Sequence, residues 1–545
     1  MAALLAGGPW SSGLAGGQAS TARSAAPPPP RPRLVVIIAV DQLRADQIDR
    51  FRPSFTSNGF KLFLDRGARF ASARYEHAVT ETCPGHAVIL TGSYAMVNGI
   101  VANDWYDRKL GRAVYCAEDT AVALVGATGP GRSPRALLAE TVGDVLKTQT
   151  AGRSRVVTVS AKDRSAIMLG GGQADAAYWI DGTAFVTSTY YRSALPAWVR
   201  RFNASGAFAR RIGGRWDRVM PASGYTAMGR DDEPAERVVD GLGRTFPHPL
   251  GTLDALMHSP MLDEVVAEFA MHAVDAEELG RDTVPDILGI SFSATDMVGH
   301  TFGPDSHEIM DDILRLDRTL ARLFAFLDRK VGLAHVVIVL TADHGVAPMP
   351  ELMTRGRAGV SPKRLDPGVV AAAVNRALTR SYGPAPAPGW IAYHGPPLVN
   401  LNQAALRAHR VTMEAAESVA RAAIRSVPGV HDAVTGTELG RHGLPAQSGK
   451  PLADAVRSFF PGRGGDLYYF LEPYWLATTE STGTGHGSIW PYDQQVPLLW
   501  VGPGIVPSPR RGAATVADIA PTLSALLGLQ APRGAQGRVL TEILR

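Results

Sequence analysis

Three strand-length runs constrain the fold of this chain most strongly, because each is too continuously apolar for a strand at the surface. The runs are Leu34–Val40, Asp286–Phe292 and Val336–Leu340. β-Branched and aliphatic residues without polar alternation predict strands that are buried on both faces, as in a parallel sheet covered by helices. In an open sheet of this kind, functional residues collect outside the carboxyl ends of the strands. The residues that follow each run are therefore the first candidates for chemistry.

The rest of the chain alternates between strand and helix patterns. Val156–Val159 and Pro497–Val501 have strand character, whereas Glu308–Val331 repeats apolar residues at helical spacing. This alternation predicts the α/β class, with a doubly wound, mostly parallel central sheet and helices on both faces. Residues from about 173 to 280 and from about 350 to 480 interrupt the pattern. We expect two inserted cap segments there, the first of which shapes substrate access rather than the sheet itself.

Composition and charge exclude several classes of protein. The chain has 545 residues, a 45% hydrophobic fraction and a net charge of +4, as an ordinary globular protein has. No basic block is dense enough to indicate a nucleic-acid partner. The uninterrupted apolar stretches have the length of strands, so no membrane-spanning helix is expected. The oligomeric state is left open by the sequence.

Residues 1–33 differ in composition from the rest of the chain. They are rich in Ala, Gly, Ser and Pro, with a proline run at Pro27–Pro30. Such a segment cannot bury enough surface to order itself, so we expect a disordered or signal-like N-terminus. A basic start and a continuous apolar region, which a secretion signal needs, are both missing. We expect the main domain to span residues 34–545.

The chain has two cysteines, Cys83 and Cys116. Two are too few for a disulfide framework or a cysteine-ligated zinc site. They form either one bridge in an oxidising compartment or two buried free thiols. Sequence does not give their separation in space, and two free thiols are the favoured expectation.

Six metal-binding side chains stand at or near the ends of the predicted strands and in turns. Three carboxylates and three imidazoles match two zinc ions with three protein ligands each, with positions left open for reactants. Taken singly, each residue could be a helix cap, a turn Asp or a hydrogen-bonded core His. The full set makes such a coincidence improbable, and it consists of Asp41, Asp296, His300, Asp343, His344 and His486.

The chain resembles the alkaline phosphatase superfamily, within it the PafA-like alkaline phosphatases and the type I phosphodiesterase and nucleotide pyrophosphatase family. The resemblance spans residues 34–545 and implies an alkaline-phosphatase-like catalytic domain with two zinc ions. It implies one ion on Asp41, Asp343, His344 and the nucleophile, and a second ion on Asp296, His300 and His486. The motifs that carry it are the Asp41 strand end, Thr82-Cys-Pro-Gly85-His86, Asp296-x-x-x-His300, Asp343-His344-Gly345 and Gly485-His486-Gly487.

Thr80 and Thr82 are both candidates for the nucleophile. The resemblance selects Thr82, because the second Thr of the family motif Thr-x-Thr-x-x-Gly/Asn-His attacks phosphorus and becomes a phosphothreonine. Thr82 stands at the expected start of a helix, where backbone N–H groups favour an anion. The alternative for Thr82 is an N-cap without chemistry. The resemblance also implies that Asn103 donates to a phosphoryl oxygen, and a turn residue is the alternative.

Lys162 and Arg164 distinguish two functions that share the same metal set. The resemblance implies that both side chains contact non-bridging phosphate oxygens, as in the PafA-like monoesterases. A dianionic monoester gains more from two extra cations than a monoanionic diester does. A solvated turn is the alternative for both residues. The sequence therefore predicts a phosphate-monoester hydrolase, and a phosphodiesterase or nucleotide pyrophosphatase is the second possibility.

Other functions fit the sequence less well. A sulfatase needs a Cys or Ser in the pattern C/S-x-P-x-R, which Cys83-Pro84-Gly85 does not provide. A metal- or phosphate-binding protein without catalysis is expected to lack a ligand or the nucleophile, and neither is missing here. The resemblance implies small phosphate esters as substrates and a bacterial enzyme that is periplasmic or secreted.

Overall fold

The computed structural model describes residues 32–356, 359, 361–441 and 451–545, with side chains described at all of these except 510 and 511. The predicted disordered or signal-like segment 1–33 therefore lies almost entirely outside the described residues. Within them, no helix is long and apolar enough to cross a membrane.

The strands of the described residues carry the labels β1 to β20 in chain order. They are β1 (Leu34–Val40), β2 (Ala68–Arg74), β3 (Asp104–Asp107), β4 (Arg112–Tyr115), β5 (Leu124–Val125), β6 (Val156–Ser160), β7 (Ala176–Asp181), β8 (Ala184–Ser188), β9 (Gly214–Trp216), β10 (His248–Leu250), β11 (Asp286–Phe292), β12 (Val336–Thr341), β13 (Arg364–Leu365), β14 (Ile391–Gly395), β15 (Leu398–Leu401), β16 (Val430–Thr435), β17 (Leu467–Leu471), β18 (Leu476–Ala477), β19 (Leu498–Val501) and β20 (Ser508–Thr515).

The α-helices of the same residues carry the labels α1 to α19. They are α1 (Ala45–Phe51), α2 (Phe60–Arg66), α3 (Thr82–Thr91), α4 (Ala95–Asn98), α5 (Val142–Gln149), α6 (Asp163–Gly170), α7 (Ala197–Ala204), α8 (Leu253–Met257), α9 (Met261–Ala276), α10 (Ala294–Phe302), α11 (His307–Lys330), α12 (Pro350–Gly356), α13 (Pro367–Tyr382), α14 (Gln403–Ala408), α15 (Met413–Arg425), α16 (Gly436–Arg441), α17 (Pro451–Ser458), α18 (Pro491–Gln494) and α19 (Ile519–Leu527).

A ten-stranded sheet forms the core, in the order β20-β2-β19-β12-β1-β11-β6-β7-β8-β5. Its centre, from β12 to β7, is parallel, and antiparallel pairs flank it on each side. The predicted α/β fold is confirmed, and the three continuous apolar runs are the three central strands β12, β1 and β11. Every residue of β1 and β11 is buried, as strands covered on both faces must be.

The register of the central strands brings their carboxyl ends to one level. Val40 of β1 pairs with Phe292 of β11, and Ala39 pairs with Thr341 of β12. The Asp41 N–H extends the first ladder by donating to the Phe292 carbonyl at 2.9 Å. The residues that follow these strands are therefore held side by side at one edge of the sheet.

The segment that begins near residue 173 does contribute to the sheet, so this part of the sequence-based expectation is wrong. Ala176 and Ala177 of β7 pair in parallel with β6, and β8 returns antiparallel to β7. Alanine has a low strand propensity, which explains why the strand pattern is weak there. The helix α9 also packs against the central strand β11.

The segment from about 350 to 480 contains a second, smaller sheet. Its four strands lie in the order β14-β15-β17-β16, and all neighbouring pairs are antiparallel. The helices α13 and α15 belong to the same layer and share an apolar cluster with it, which includes Val374, Trp390, Val399, Ala420 and Tyr469. This segment therefore has a core of its own.

Candidate metal centre and nucleophile

The candidate metal ligands come from strand ends, one helix and one loop. Asp41 follows β1, Asp343 and His344 follow β12, and all three are fully buried. The remaining three candidates are Asp296 and His300, on α10, and His486, in the loop before α18. As expected for residues four positions apart on a helix, His300 Nε2 lies 3.2 Å from Asp296 Oδ1.

Asp41, Asp343 and His344 form the first group that could hold a cation. One ligand atom from each lies within 4.8 Å of the others. His344 Nε2 is 3.5 Å from Asp41 Oδ1 and 3.5 Å from Asp343 Oδ2. Asp41 Oδ1 and His344 Nε2 are buried without a hydrogen-bond partner among the described residues, which is costly for polar groups away from water, and Asp343 Oδ2 lies 3.1 Å from His86 Nδ1. A metal ion at this point would satisfy all three, so the residues fit a zinc ion.

Asp296, His344 and His486 form the second group, again with ligand atoms within 4.8 Å of one another. His486 Nε2 is 3.8 Å from Asp296 Oδ1, and the rings of His300 and His486 are 5.0 Å apart. The His344 ring stacks on His486 at 3.7 Å and so lies between the two groups. The structure thus brings all six candidate ligands into one cluster, whereas their division between two ions stays a prediction.

Backbone carbonyls fix the orientation of the three imidazoles. The Nδ1 atoms lie 3.0 Å from the Gly345 carbonyl for His344, 2.8 Å from Thr484 for His300 and 2.7 Å from Thr80 for His486. With Nδ1 donating to a carbonyl, Nε2 carries the lone pair and is the atom available for a metal ion.

Lys162 lies between the two groups. Its Nζ is 2.6 Å from Asp41 Oδ2 and 2.5 Å from Asp296 Oδ2. Burial lowers the pKa of Lys162, but the Asp296 and Asp41 carboxylates outweigh it and raise the pKa above its ordinary value. Lys162 is therefore a fixed positive charge at the centre of the site.

The buried carboxyl groups of the site have pKa values that are shifted in different directions by their neighbours. Burial, together with the charges of Asp296 and Asp343, raises the pKa of Asp41 to about 8. Burial also acts to raise the pKa of Asp343, but the neighbouring His344 and His86 hold it below its ordinary value. A divalent cation in the first group would favour the charged form of Asp41.

Of the two candidate nucleophiles, Thr82 faces the site. It is the first residue of α3 and is buried, and Arg164 Nη2 lies 3.4 Å from its Oγ1. The Thr80 hydroxyl instead donates to the Ser488 carbonyl at 2.9 Å. Thr82 stands at the positive N-terminal end of the dipole of α3, where an anion is favoured.

Asn103 is held beside Thr82 by the residues on either side of the nucleophile. Its Oδ1 accepts from the Cys83 N–H at 2.8 Å, and its own N–H donates to Glu81 Oε2 at 2.7 Å. Because Oδ1 is engaged, the amino group of Asn103 is the end available to a phosphoryl oxygen.

Cys83 and Cys116 form a disulfide. The expectation of two free thiols is therefore wrong. The sequence separation of the two residues carried no information on this point, since the hairpin of β3 and β4 is what brings Cys116 back to α3.

Two contributors were missed by sequence reasoning. Gln42 Nε2 donates to Asp296 Oδ1 at 2.7 Å, and the Gln42 N–H donates to Asp343 Oδ1 at 3.1 Å. Glu81 orients Asn103 as described above, and burial raises the pKa of Glu81 to about 7. Gln42 directly follows Asp41, and Glu81 directly precedes Thr82. Their position next to predicted site residues was the signal that could have found them.

A cavity of about 510 Å³ opens from the cluster on the side of His300 and His486. The segment 350–480 supplies apolar side chains to its wall, among them Pro396, Trp475 and Leu476. A small organic group attached to a phosphate at the cluster has room to lie there.

Residues 35–488 match the family model for type I phosphodiesterase / nucleotide pyrophosphatase. The chain belongs to this family. The family member alkaline phosphatase PhoV of Synechococcus elongatus is 34% identical to it, over 94% of this chain and 93% of PhoV. Alkaline phosphatase PafA of Elizabethkingia meningoseptica is 33% identical, over 94% of this chain and 95% of PafA.

A solved structure agrees with this assignment to the phosphodiesterase family. The crystal structure of wild-type alkaline phosphatase PafA matches with a TM-score of 0.88 and 32% identity, covering 95% of this chain and 99% of that chain. The resemblance inferred from the sequence motifs is confirmed.

Proposed function

We propose that this chain hydrolyses small phosphate monoesters, as an alkaline phosphatase, through a phosphothreonine on Thr82 at a site that holds two zinc ions. The observation that carries the proposal is the position of Lys162 and Arg164. Both cations meet at the cluster of candidate ligands, with Arg164 against the Thr82 hydroxyl and Lys162 between Asp41 and Asp296.

The residues present fit zinc in number and chemical type. Asp41, Asp343, His344 and Thr82 are the proposed ligands of one ion, and Asp296, His300 and His486 those of the other. When bound, the ions supply Lewis acidity that favours the threonine alkoxide and stabilises the departing oxygen.

In the proposed reaction, Thr82 Oγ attacks phosphorus in line, the bond from phosphorus to the ester oxygen breaks, and the alcohol leaves. Water then attacks the phosphothreonine, which releases inorganic phosphate and restores the Thr82 hydroxyl. Arg164, Lys162 and the Asn103 amino group contact the non-bridging oxygens, whose charge they stabilise in both steps.

Lys162 and Arg164 favour the monoester over the diester. A monoester brings two negative charges into the buried site and a diester brings one. Two fixed cations next to the nucleophile compensate the larger charge better. Phosphodiester hydrolysis remains the second candidate function, since the family model that matches is that of the type I phosphodiesterases.

The experiment measures the hydrolysis of p-nitrophenyl phosphate and bis-p-nitrophenyl phosphate by zinc-loaded protein, with and without Lys162→Ala/Arg164→Ala. We expect a monoester preference in the parent chain and a fall of roughly 10²- to 10⁴-fold in monoester kcat/KM in the double variant, since each charge-assisted hydrogen bond contributes about 1.5–3 kcal/mol. Diester hydrolysis should change much less.

A matched control is Lys147→Ala, which removes a lysine that pairs with Asp175 outside the cluster. It should leave both activities within about twofold, as expected for a partly exposed ion pair. A diester preference that ignores the double substitution would contradict the monoesterase proposal and favour the second candidate.

We further propose that the protein is exported, to the periplasm or the medium. The Cys83–Cys116 disulfide supports this, because stable disulfides form in oxidising compartments and are rare in the cytosol. Fractionation of expressing cells, with thiol labelling of the denatured protein, tests it. Recovery only in the cytosol, with two reactive thiols, would contradict export.

A further inference from the structure

The backbone N–H groups of the two bridged cysteines, Cys83 and Cys116, contact Asn103 from two directions. The Cys83 N–H donates to Asn103 Oδ1 at 2.8 Å, and the Cys116 N–H donates to the Asn103 carbonyl at 2.8 Å. Both half-cystines are fully buried. Since Cys83 follows Thr82 in the first turn of α3, the bridge joins the nucleophile helix to the chain segment that carries Asn103.

Beyond the apolar cluster that Trp105 of β3 shares with both half-cystines, that segment has little support of its own. Asn103 directly precedes β3, and β3 and β4 form a two-stranded sheet that is not part of the central one. An isolated two-stranded hairpin is only marginally stable in water. Its tip is open to solvent, with Leu110 exposed to 61%.

Of the other side-chain contacts of the hairpin, Tyr115 donates to Asp163 Oδ1 at 2.6 Å, beside Arg164, and two more lead to the segment 350–480. Arg108 pairs with Asp466 at 2.6 Å, and the Tyr106 ring stacks on Tyr393 at 6.1 Å. Both partners belong to the segment 350–480 and not to α3. The bridge is thus the covalent link that ties Asn103 to the helix on which Thr82 stands.

We propose that the Cys83–Cys116 disulfide is a positioning device that sets the distance between the Asn103 amide and Thr82. This inference rests on the proposed role of Asn103 as a donor to the phosphoryl group. A misplacement of about 1 Å in a reacting constellation costs on the order of 10²-fold in rate, so a loosened hairpin should weaken transition-state stabilisation.

The test compares four zinc-loaded proteins in kcat/KM for p-nitrophenyl phosphate: the parent, Cys83→Ala/Cys116→Ala, Asn103→Ala and the triple variant. Replacement of both cysteines avoids a lone thiol. We expect about a 10-fold loss in the cysteine variant and on the order of a 10²-fold loss in Asn103→Ala. The triple variant should equal Asn103→Ala within about twofold, because the bridge has no amide left to position.

Two other outcomes overturn the inference and are distinguishable. If the losses multiply, so that the triple variant falls a further 10-fold, the bridge acts on the fold or on Thr82 and not through Asn103. If Asn103→Ala is as active as the parent, the proposed role of Asn103 is wrong and nothing remains to be positioned.

Two measurements separate positioning from loss of fold. Calorimetric titration with inorganic phosphate should show weaker binding in the cysteine variant than in the parent, and equal binding in Asn103→Ala and the triple variant. Val456→Ala, in the same apolar cluster as both cysteines, is the matched control. It should lower the unfolding temperature without changing phosphate affinity.

Should the cysteine variant not fold, reversible reduction of the parent and of Asn103→Ala gives the same comparison. Reductant should lower the activity of the parent, with recovery on reoxidation, and leave that of Asn103→Ala unchanged. An equal fractional loss in both proteins would overturn the inference.

Discussion

The buried carboxylates Asp41 and Asp343 and the candidate phosphate contact Asn103 stand on different kinds of support. Asp41 and Asp343 follow central strands whose hydrogen-bond ladders fix them at one level. Asn103 precedes a small separate hairpin. Positions set by a buried sheet vary little, whereas positions set by hairpins need local fixation. The two kinds of position should therefore respond differently to substitution.

The largest effect is expected for Thr82→Ala, which removes the proposed nucleophile and leaves both ligand groups in place. Turnover of p-nitrophenyl phosphate should fall by roughly 10³- to 10⁶-fold, the range for loss of a nucleophile. Zinc content, measured by mass spectrometry of the metal, should stay near that of the parent. Thr80→Ala is the control and should remain active, because its hydroxyl donates to Ser488 and not toward the cluster. Activity that survives in Thr82→Ala would refute the assignment.

Asp343→Ala tests the other side of the comparison, the carboxylates that follow the central strands. It removes a buried carboxylate that completes the first ligand group, so we expect zinc affinity to fall by more than the 10- to 100-fold that is typical of an outer-shell change. Metal content per chain after dialysis is the measurement. If Asp343→Ala keeps two tightly bound ions, the proposed first group is wrong.

A milder effect on the metal should follow from Gly299→Ala in α10. A methyl group at this glycine would collide with Gln42 Oε1 and displace the amide that donates to Asp296. We expect zinc affinity to fall about 10- to 100-fold, although alanine is the better helix former. Gln42→Ala should reproduce the loss. Unchanged affinity in both variants would show that Gln42 does not orient Asp296.

The smallest effect is expected at the buried carboxyl of Glu236, which is not one of the candidate site residues. Burial, together with Glu308 and Glu233, raises the pKa of Glu236 from 4.5 to about 10. The folded state then binds this proton more tightly than the unfolded state does, so the contribution to stability is complete below pH 4.5 and is lost as the pH rises toward 10.

Glu236→Gln removes this titration. The variant should unfold at a higher temperature than the parent at pH 8 and gain less at pH 5, with about 1 °C for each kcal/mol by which the free energy of unfolding rises. Glu438→Gln, which breaks a partly exposed pair with Arg421, is the control and should change little at either pH. An equal gain of Glu236→Gln at both pH values would contradict the raised pKa.

Much of the fold followed from the sequence because the central strands are continuous in apolar character. Leu34–Val40 and Val336–Thr341 have no alternative to a doubly covered strand. The sequence did not predict that Ala176–Asp181 joins the central sheet, because its pairing residues include alanines, whose place in the sheet depends on a neighbouring strand and not on their own propensity.

The sequence predicted which residues belong to the candidate site better than it predicted the contacts between them. The motifs indicated which residues belong together, since strand ends of a parallel sheet meet at one edge. They did not indicate that Lys162 bridges Asp41 and Asp296, or that Gln42 supports Asp296, because both depend on the approach of side chains from different elements. Nor could spacing reveal the disulfide, which depends on the path of the hairpin between its two residues.

Because the central strands end at one level, the chain should accept insertions at some positions during evolution and not at others. One residue inserted within Leu34–Val40 would reverse the facing of every later side chain in that strand and carry Asp41 out of line with Asp343. A much longer insertion at the exposed tip of the β3–β4 hairpin would leave both carboxylates where they are. Insertions that lengthen loops should therefore preserve the candidate site, whereas single-residue insertions in the central strands should disrupt it.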